Sequence, residues 1–203
     1  MKRLSLLPFL GLVLSPALAN AFTIDVSPYN NIVRWDHPDL TYYLDPDGAP
    51  GITDGSDIAA VKESAQDWTN VSCSNLSITY IGPTTTKSVL PVDGPYDSKN
   101  QLVWINNSAW TFGTYTLGVT VSPYGYDGVI MESDIAFNGY LQQWSTSGDF
   151  YKSDVKSVVI HELGHFFGLQ HVLSGYNQYD PPTMAPYADP YLQTRTLDRK
   201  SVV

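Results

Sequence analysis

Residues 161–171 read His-Glu-Leu-Gly-His-Phe-Phe-Gly-Leu-Gln-His and hold three of the four histidines in the chain. Glutamate is scarcer still, with Glu63, Glu132 and Glu162 the whole supply. At such frequencies His-Glu-x-x-His arises by chance in roughly one chain per thousand of this length, too rarely for a scatter of surface histidines. The spacing also dictates local structure. Ser153 and Asp154 are placed to cap a helix running to about Phe167. At about 100° per residue, His165 lies about 40° round from His161 and one turn along, so both imidazoles face one way. Val155, Val159, Ile160, Leu163, Phe166 and Phe167 fall on the opposite arc. A helix divided in this way must bury one side in a core and turn the other towards a cleft.

Glu162 lies about 100° round from His161, beside the imidazole face but directed past it. Gly164 costs about 1 kcal/mol relative to alanine inside a helix, and close packing beneath the cleft would account for it. Gly168 stands where a left-handed residue ends the helix cheaply, so that the chain turns and His171 supplies a third nitrogen. Three neutral imidazoles around Zn²⁺ leave one position for water, the arrangement of a catalytic rather than a closed structural site. Zinc brings the pKa of its water towards neutrality, Glu162 takes that proton, and the hydroxide attacks a carbonyl polarised by the metal. Glu162 then passes the proton to the leaving amine, giving peptide hydrolysis without a covalent intermediate.

These residues resemble the metzincin superfamily of zinc endopeptidases, which share His-Glu-x-x-His-x-x-Gly-x-x-His followed by a methionine turn. Pro182-Thr-Met-Ala-Pro-Tyr187 matches that turn, with Met184 thirteen residues beyond His171. The resemblance implies that Met184 forms an apolar floor beneath the zinc. It also offers Tyr187 as an assistant to the metal or the oxyanion, as in the astacin and serralysin branches. There the tyrosine follows the methionine by two positions; here it follows by three. Within the superfamily the chain is most similar to the matrixin (matrix metalloproteinase-like) branch in its bacterial secreted form, over about residues 34–203. The match is strong at 161–187 and weaker before. Residues 117–121 resemble the edge strand along the substrate cleft and 128–138 the strand after it, so an extended peptide would be held by main-chain pairing.

The sequence departs from matrixins in three ways. No cysteine stands near the expected mature start at Phe22, so latency through a cysteine-bearing propeptide is not expected. Only His37 remains for the family's structural zinc, which is therefore not expected either. Nineteen residues follow Met184, where the family has a further helix, so 197–203 are read as its first turns in a chain either short or truncated there. Asp127, Asp134 and Asn138 offer hard oxygens near turns, as in matrixins; calcium stays open at them, because acidic loop residues are usually only solvated.

The rest of the chain fits one domain. At 203 residues and 43% apolar content there is enough material for a core, and 15% charge is too little for a disordered chain. A net charge of −9 argues against nucleic acid or an anionic membrane as partner. Residues 1–21 read as a signal peptide: Lys2 and Arg3, an apolar run over 4–14, then Ala19-Asn20-Ala21 at peptidase spacing. The apolar run is too short to cross a bilayer of about 30 Å. The mature part, 22–203, is thus expected to be secreted or periplasmic, without a stable membrane anchor, and monomeric. The lone Cys73 is expected to be a small buried apolar residue.

Strands are expected at 41–44, 76–81, 102–105, 117–121 and 129–137, with a loop over 82–100. A first helix should start with Ser56 as N-cap and Asp57 on the helix dipole, presenting Ile58, Val61, Ala65 and Trp68 on one face. Together with the resemblance this gives an α+β fold of zincin type: a twisted mixed sheet backed by two long helices, with an irregular C-terminal subdomain carrying the methionine turn. The leading functional expectation is a secreted zinc endopeptidase acting on protein or peptide. Its rival is an exported zinc-binding or adhesive protein that keeps the fold without turnover. Glu162 favours the first, since a protein without turnover could have lost it.

Overall fold

The computed structural model describes residues 23–90, 92, 94–173, 175–187 and 193–198. The expected signal peptide and residues 199–203 of the expected last helix lie outside the described residues; Leu197 and Asp198 are in irregular backbone. The elements are β1 (Thr23–Ile24), β2 (Asp39–Leu44), α1 (Ser56–Thr69), β3 (Ser77–Pro83), β4 (Gln101–Ile105), β5 (Gly118–Val121), β6 (Asp134–Asn138), β7 (Trp144–Ser145), β8 (Ser153–Asp154), α2 (Val155–Phe166) and β9 (Leu169–Gln170).

Five strands form one mixed sheet in the order β3-β2-β4-β6-β5. The first four run parallel, and β5 closes the row antiparallel to β6, with Val119 opposite Ala136 and Thr120 opposite Ile135. Both faces of the central strands are covered, which is why β4 and β6 are buried along their whole length rather than in alternation. Leu102, Trp104, Ile135 and Phe137 point towards the two helices, into a core that includes Val61, Trp68, Val159 and Leu163. Val103, Ile105 and Ala136 point the other way, into a smaller cluster closed by Val89 and Trp110 from the long loop before and after β4. The indole Nε1 of Trp68 donates to the Ile160 carbonyl at 3.0 Å and ties α1 to α2. Two short ribbons, β1 with β9 and β7 with β8, flank the ends of α2. The fold is a mixed sheet with two helices, as expected for α+β. No described helix is long and apolar enough to cross a membrane.

Three local expectations need correction. The N-cap of α1 is Gly55, with φ 77°, and Ser56 is the first helical residue. The Ser56 hydroxyl pairs instead with Thr146 Oγ1 at 2.7 Å, and Asp57 is buried, accepting from Ala49 N at 2.6 Å. The strand expected over 129–137 begins only at Asp134. Val129 and Ile130 make isolated bridges to Arg34 and Tyr124, and Ser133 N donates to the Asn100 side chain, so side-chain acceptors replace the ladder there. Cys73 is exposed, because it lies in the turn that follows α1 rather than under the sheet.

Candidate metal centre

The centre is built on α2. Asp154 caps the helix, its Oδ1 accepting from Ser157 N at 2.9 Å, so the helix starts where the sequence places it. The same carboxylate accepts from Arg195 Nε at 3.0 Å. Val155, Val159, Ile160, Leu163 and Phe166 are buried, and His161 and His165 lie on the other side, half-buried. At the far end Gly168 takes φ 88°, and a β-carbon there would sit 2.8 Å from the Val33 carbonyl oxygen. Only glycine meets both demands. The chain then runs through β9 and returns His171 to the helix face.

His171 Nε2 lies 3.1 Å from His161 Nε2 and 3.1 Å from His165 Nε2. The opposite ring nitrogens fix the tautomers. His161 Nδ1 donates to the Thr183 carbonyl at 2.8 Å and His165 Nδ1 to the Leu169 carbonyl at 2.7 Å, since a carbonyl can only accept. Their Nε2 atoms therefore carry lone pairs in the neutral rings. Burial pushes His161 down to about 3 and His171 down to about 4, with the neighbouring His165 adding to both. With His171 Nε2 also unprotonated, three lone pairs would converge on one point, an arrangement that calls for a cation between them. Tetrahedral zinc at about 2.0–2.1 Å from each nitrogen sets neighbouring nitrogens about 3.3 Å apart, near what is seen, so the donor set fits this metal. Among the described residues the triad is the one group of three His, Cys, Asp or Glu side chains whose ligand atoms lie within 4.8 Å of one another.

Glu162 is only 5% exposed, and burial raises its carboxyl above the ordinary range. Its Oε2 accepts from Thr120 Oγ1 on β5 at 2.6 Å. Met184 is fully buried against α2: a β-carbon on Gly164 would come 2.2 Å from its sulfur and 3.4 Å from the Trp68 ring. The turn carrying Met184 is tied to the ligand loop by Val172 N donating to the Met184 carbonyl at 3.0 Å. Thr183, whose carbonyl holds His161, is itself held by Asp198, which accepts from Thr183 N at 2.9 Å and from its hydroxyl at 2.8 Å.

The structure thus brings His161, Glu162, His165, Gly168, His171 and Met184 together. Tyr187 is 83% exposed, and among the described residues no hydrogen bond or ring contact joins it to the triad. The three residues left open for calcium do not converge. Asp134 accepts from Gln101 N and Leu90 N, Asn138 is bonded to the Thr116 carbonyl and Leu141 N, and Asp127 accepts from Val129 N. Asp134 and Asn138 also stand at opposite ends of β6, about 13 Å apart at strand rise. Sequence reasoning missed Thr120, Gly118, Thr183 and Asp198. Period two places 118 and 120 on one face of the cleft strand but does not say which face meets the helix. No family model matches the chain, and no curated protein matches it.

Proposed function

We propose that this protein is an exported zinc endopeptidase of the metzincin type, with His161, His165 and His171 as metal ligands and Glu162 as the catalytic base. The observation that carries the reading is the convergence of three imidazole nitrogens next to a buried carboxylate that shares a helix with two of them. Zinc, when bound there, supplies a Lewis acid for a peptide carbonyl and acidifies a water molecule.

The chain's own residues do the rest. The Thr183 and Leu169 carbonyls hold the tautomers that leave Nε2 free, and buried Met184 seats the helix from below. Burial makes Glu162 a stronger base than a solvated carboxylate, fit to accept a proton from attacking water and return it to the departing amine. Because β5 is the last strand of the sheet, its outer main-chain groups have no strand partner among the described residues, and an extended peptide could pair with them next to Glu162.

The test is cleavage of casein and of a quenched-peptide library by the zinc-loaded protein. Glu162→Ala should lower turnover by about 10²–10⁴-fold at unchanged zinc content. Unchanged turnover in that variant removes the base assignment, and a wild type that cleaves nothing removes the peptidase reading.

A further inference from the structure

We infer that Thr120 is the positioning residue for Glu162, with Gly118 providing the space its carboxylate fills. The inference rests on the peptidase reading and extends it to β5. Residues 118 and 120 project to the same face of a strand, and here that face meets α2. Thr120 Oγ1 stands 2.6 Å from Glu162 Oε2 and 3.3 Å from the Glu162 backbone oxygen. A hydroxyl has one hydrogen, and the shorter, charge-assisted bond to the carboxylate takes it. Among the described residues no other donor reaches that carboxylate. Two positions earlier, a β-carbon on Gly118 would lie 2.7 Å from Glu162 Oε1, 2.7 Å from its Cγ and 2.8 Å from Cδ. Gly118 shows no left-handed backbone, so glycine is required there by the neighbouring carboxylate and not by its own φ.

The carboxylate is therefore placed by one strand, its Oε2 bonded to the Thr120 hydroxyl and its Oε1 lying where a side chain at position 118 would begin. With Oε2 engaged by Thr120, the proton that leaves water is received on Oε1. A water O–H bond breaks, an Oε1–H bond forms, and the same proton then moves to the leaving nitrogen, returning Glu162 to its carboxylate. Thr120 keeps its own hydrogen throughout. Because β5 is also the last strand of the sheet among the described residues, the strand that would set the register of a bound peptide is the one that aims the base.

Three variants test this: Thr120→Val, Thr120→Ser and Gly118→Ala. In the zinc-loaded protein, Thr120→Val should lower kcat by roughly 10- to 100-fold with KM changed less than about twofold, as expected when a reacting group is misplaced. Thr120→Ser restores the hydroxyl and should stay within about threefold of wild type, whereas Gly118→Ala should fall with Thr120→Val. A second readout needs no metal and no turnover: a double-mutant cycle of Thr120→Val with Glu162→Ala, which removes the acceptor, in urea unfolding of the metal-free chain. It should show a coupling of about fivefold or more in the folding constant. Wild-type kcat in Thr120→Val, or Thr120→Ser as impaired as Thr120→Val, overturns the positioning role. Absence of coupling in the cycle overturns the contact itself. A wild type that cleaves no peptide overturns the peptidase reading and the catalytic purpose with it, while the cycle still reports separately on the Thr120–Glu162 bond.

Discussion

Met184 lies so close beneath Gly164 that a β-carbon on the helix would stand 2.2 Å from its sulfur. Glycine in mid-helix, one residue before a candidate metal ligand, is thus the imprint of a side chain arriving from a turn twenty positions downstream. The contact sets how far α2 sinks towards that turn, and with it the height of His161 and His165.

Gly164→Ala should therefore destabilise the protein, although alanine is the better helix former by about 1 kcal/mol. Fully buried Met184 has little room to yield, and the added carbon would also stand 3.4 Å from the Trp68 ring, so overpacking should cost about 1–3 kcal/mol net. Urea unfolding of the metal-free variant measures it; a gain in stability would show that Met184 moves aside freely.

Asp154 serves two partners, the first turn of α2 and Arg195. Asp154→Ala should cost about 2 kcal/mol, combining a lost N-cap with a stranded, partly covered guanidinium. Asp154→Asn retains the cap oxygen and should cost about half as much. Equal losses in denaturant unfolding would place the whole effect in the ion pair.

Asp198 is linked to the proposed ligand His161 through Thr183, whose carbonyl orients that ring. Asp198→Ala should weaken zinc binding by roughly 10- to 100-fold, the range for loss of a group that orients a ligand, with the circular dichroism spectrum unchanged. Competition against a chromophoric chelator gives the number, and unaltered affinity would detach Asp198 from the site.

Asp134 carries the clearest pH dependence. Burial pushes its carboxyl up to about 7 from 3.8, against the pull of two backbone donors and with Glu132 and Asp97 adding to the rise. Between those values the folded chain keeps a proton that the unfolded chain releases. The stability contributed by this group is complete at low pH and drains away as pH rises through the folded value. Relative to Asp134→Asn, the wild type should lose up to about 1.4 kcal/mol per pH unit across that interval and then level off. Urea unfolding at a series of pH values tests it; a constant difference would mean that Asp134 stays ionised throughout.

The parts of this structure legible in the sequence are those governed by near neighbours. Helix α2 could be read because its cap, its apolar arc and its terminating glycine are all local, and the three histidines follow from helix pitch plus one turn. Strand β4 is short, apolar and bounded by turn residues, and it appears where expected. What escaped depends on contacts remote in sequence. Gly55 takes the cap from Ser56 because Thr146, ninety residues away, claims the serine hydroxyl. The expected long strand before β6 gives way because the Glu132 carboxylate binds Asp97 N and Ser98 N while Ser133 N turns to Asn100. Ribbon β1–β9 has no sequence signal, since two residues in each strand carry no period. The grip of Thr120 on Glu162 belongs to the same class, a pairing that exists only once a sheet edge and a helix have been brought side by side.

That ribbon has a kinetic consequence. The loop that delivers His171 is pinned by Thr23, whose hydroxyl donates to the His171 carbonyl across a sequence separation of 148, and by Asp25 N on the Gly168 carbonyl. Closing so long a loop is among the slower events in assembling a domain. The third imidazole thus depends on contacts between the two ends of the chain, whereas the first two follow from the helix alone.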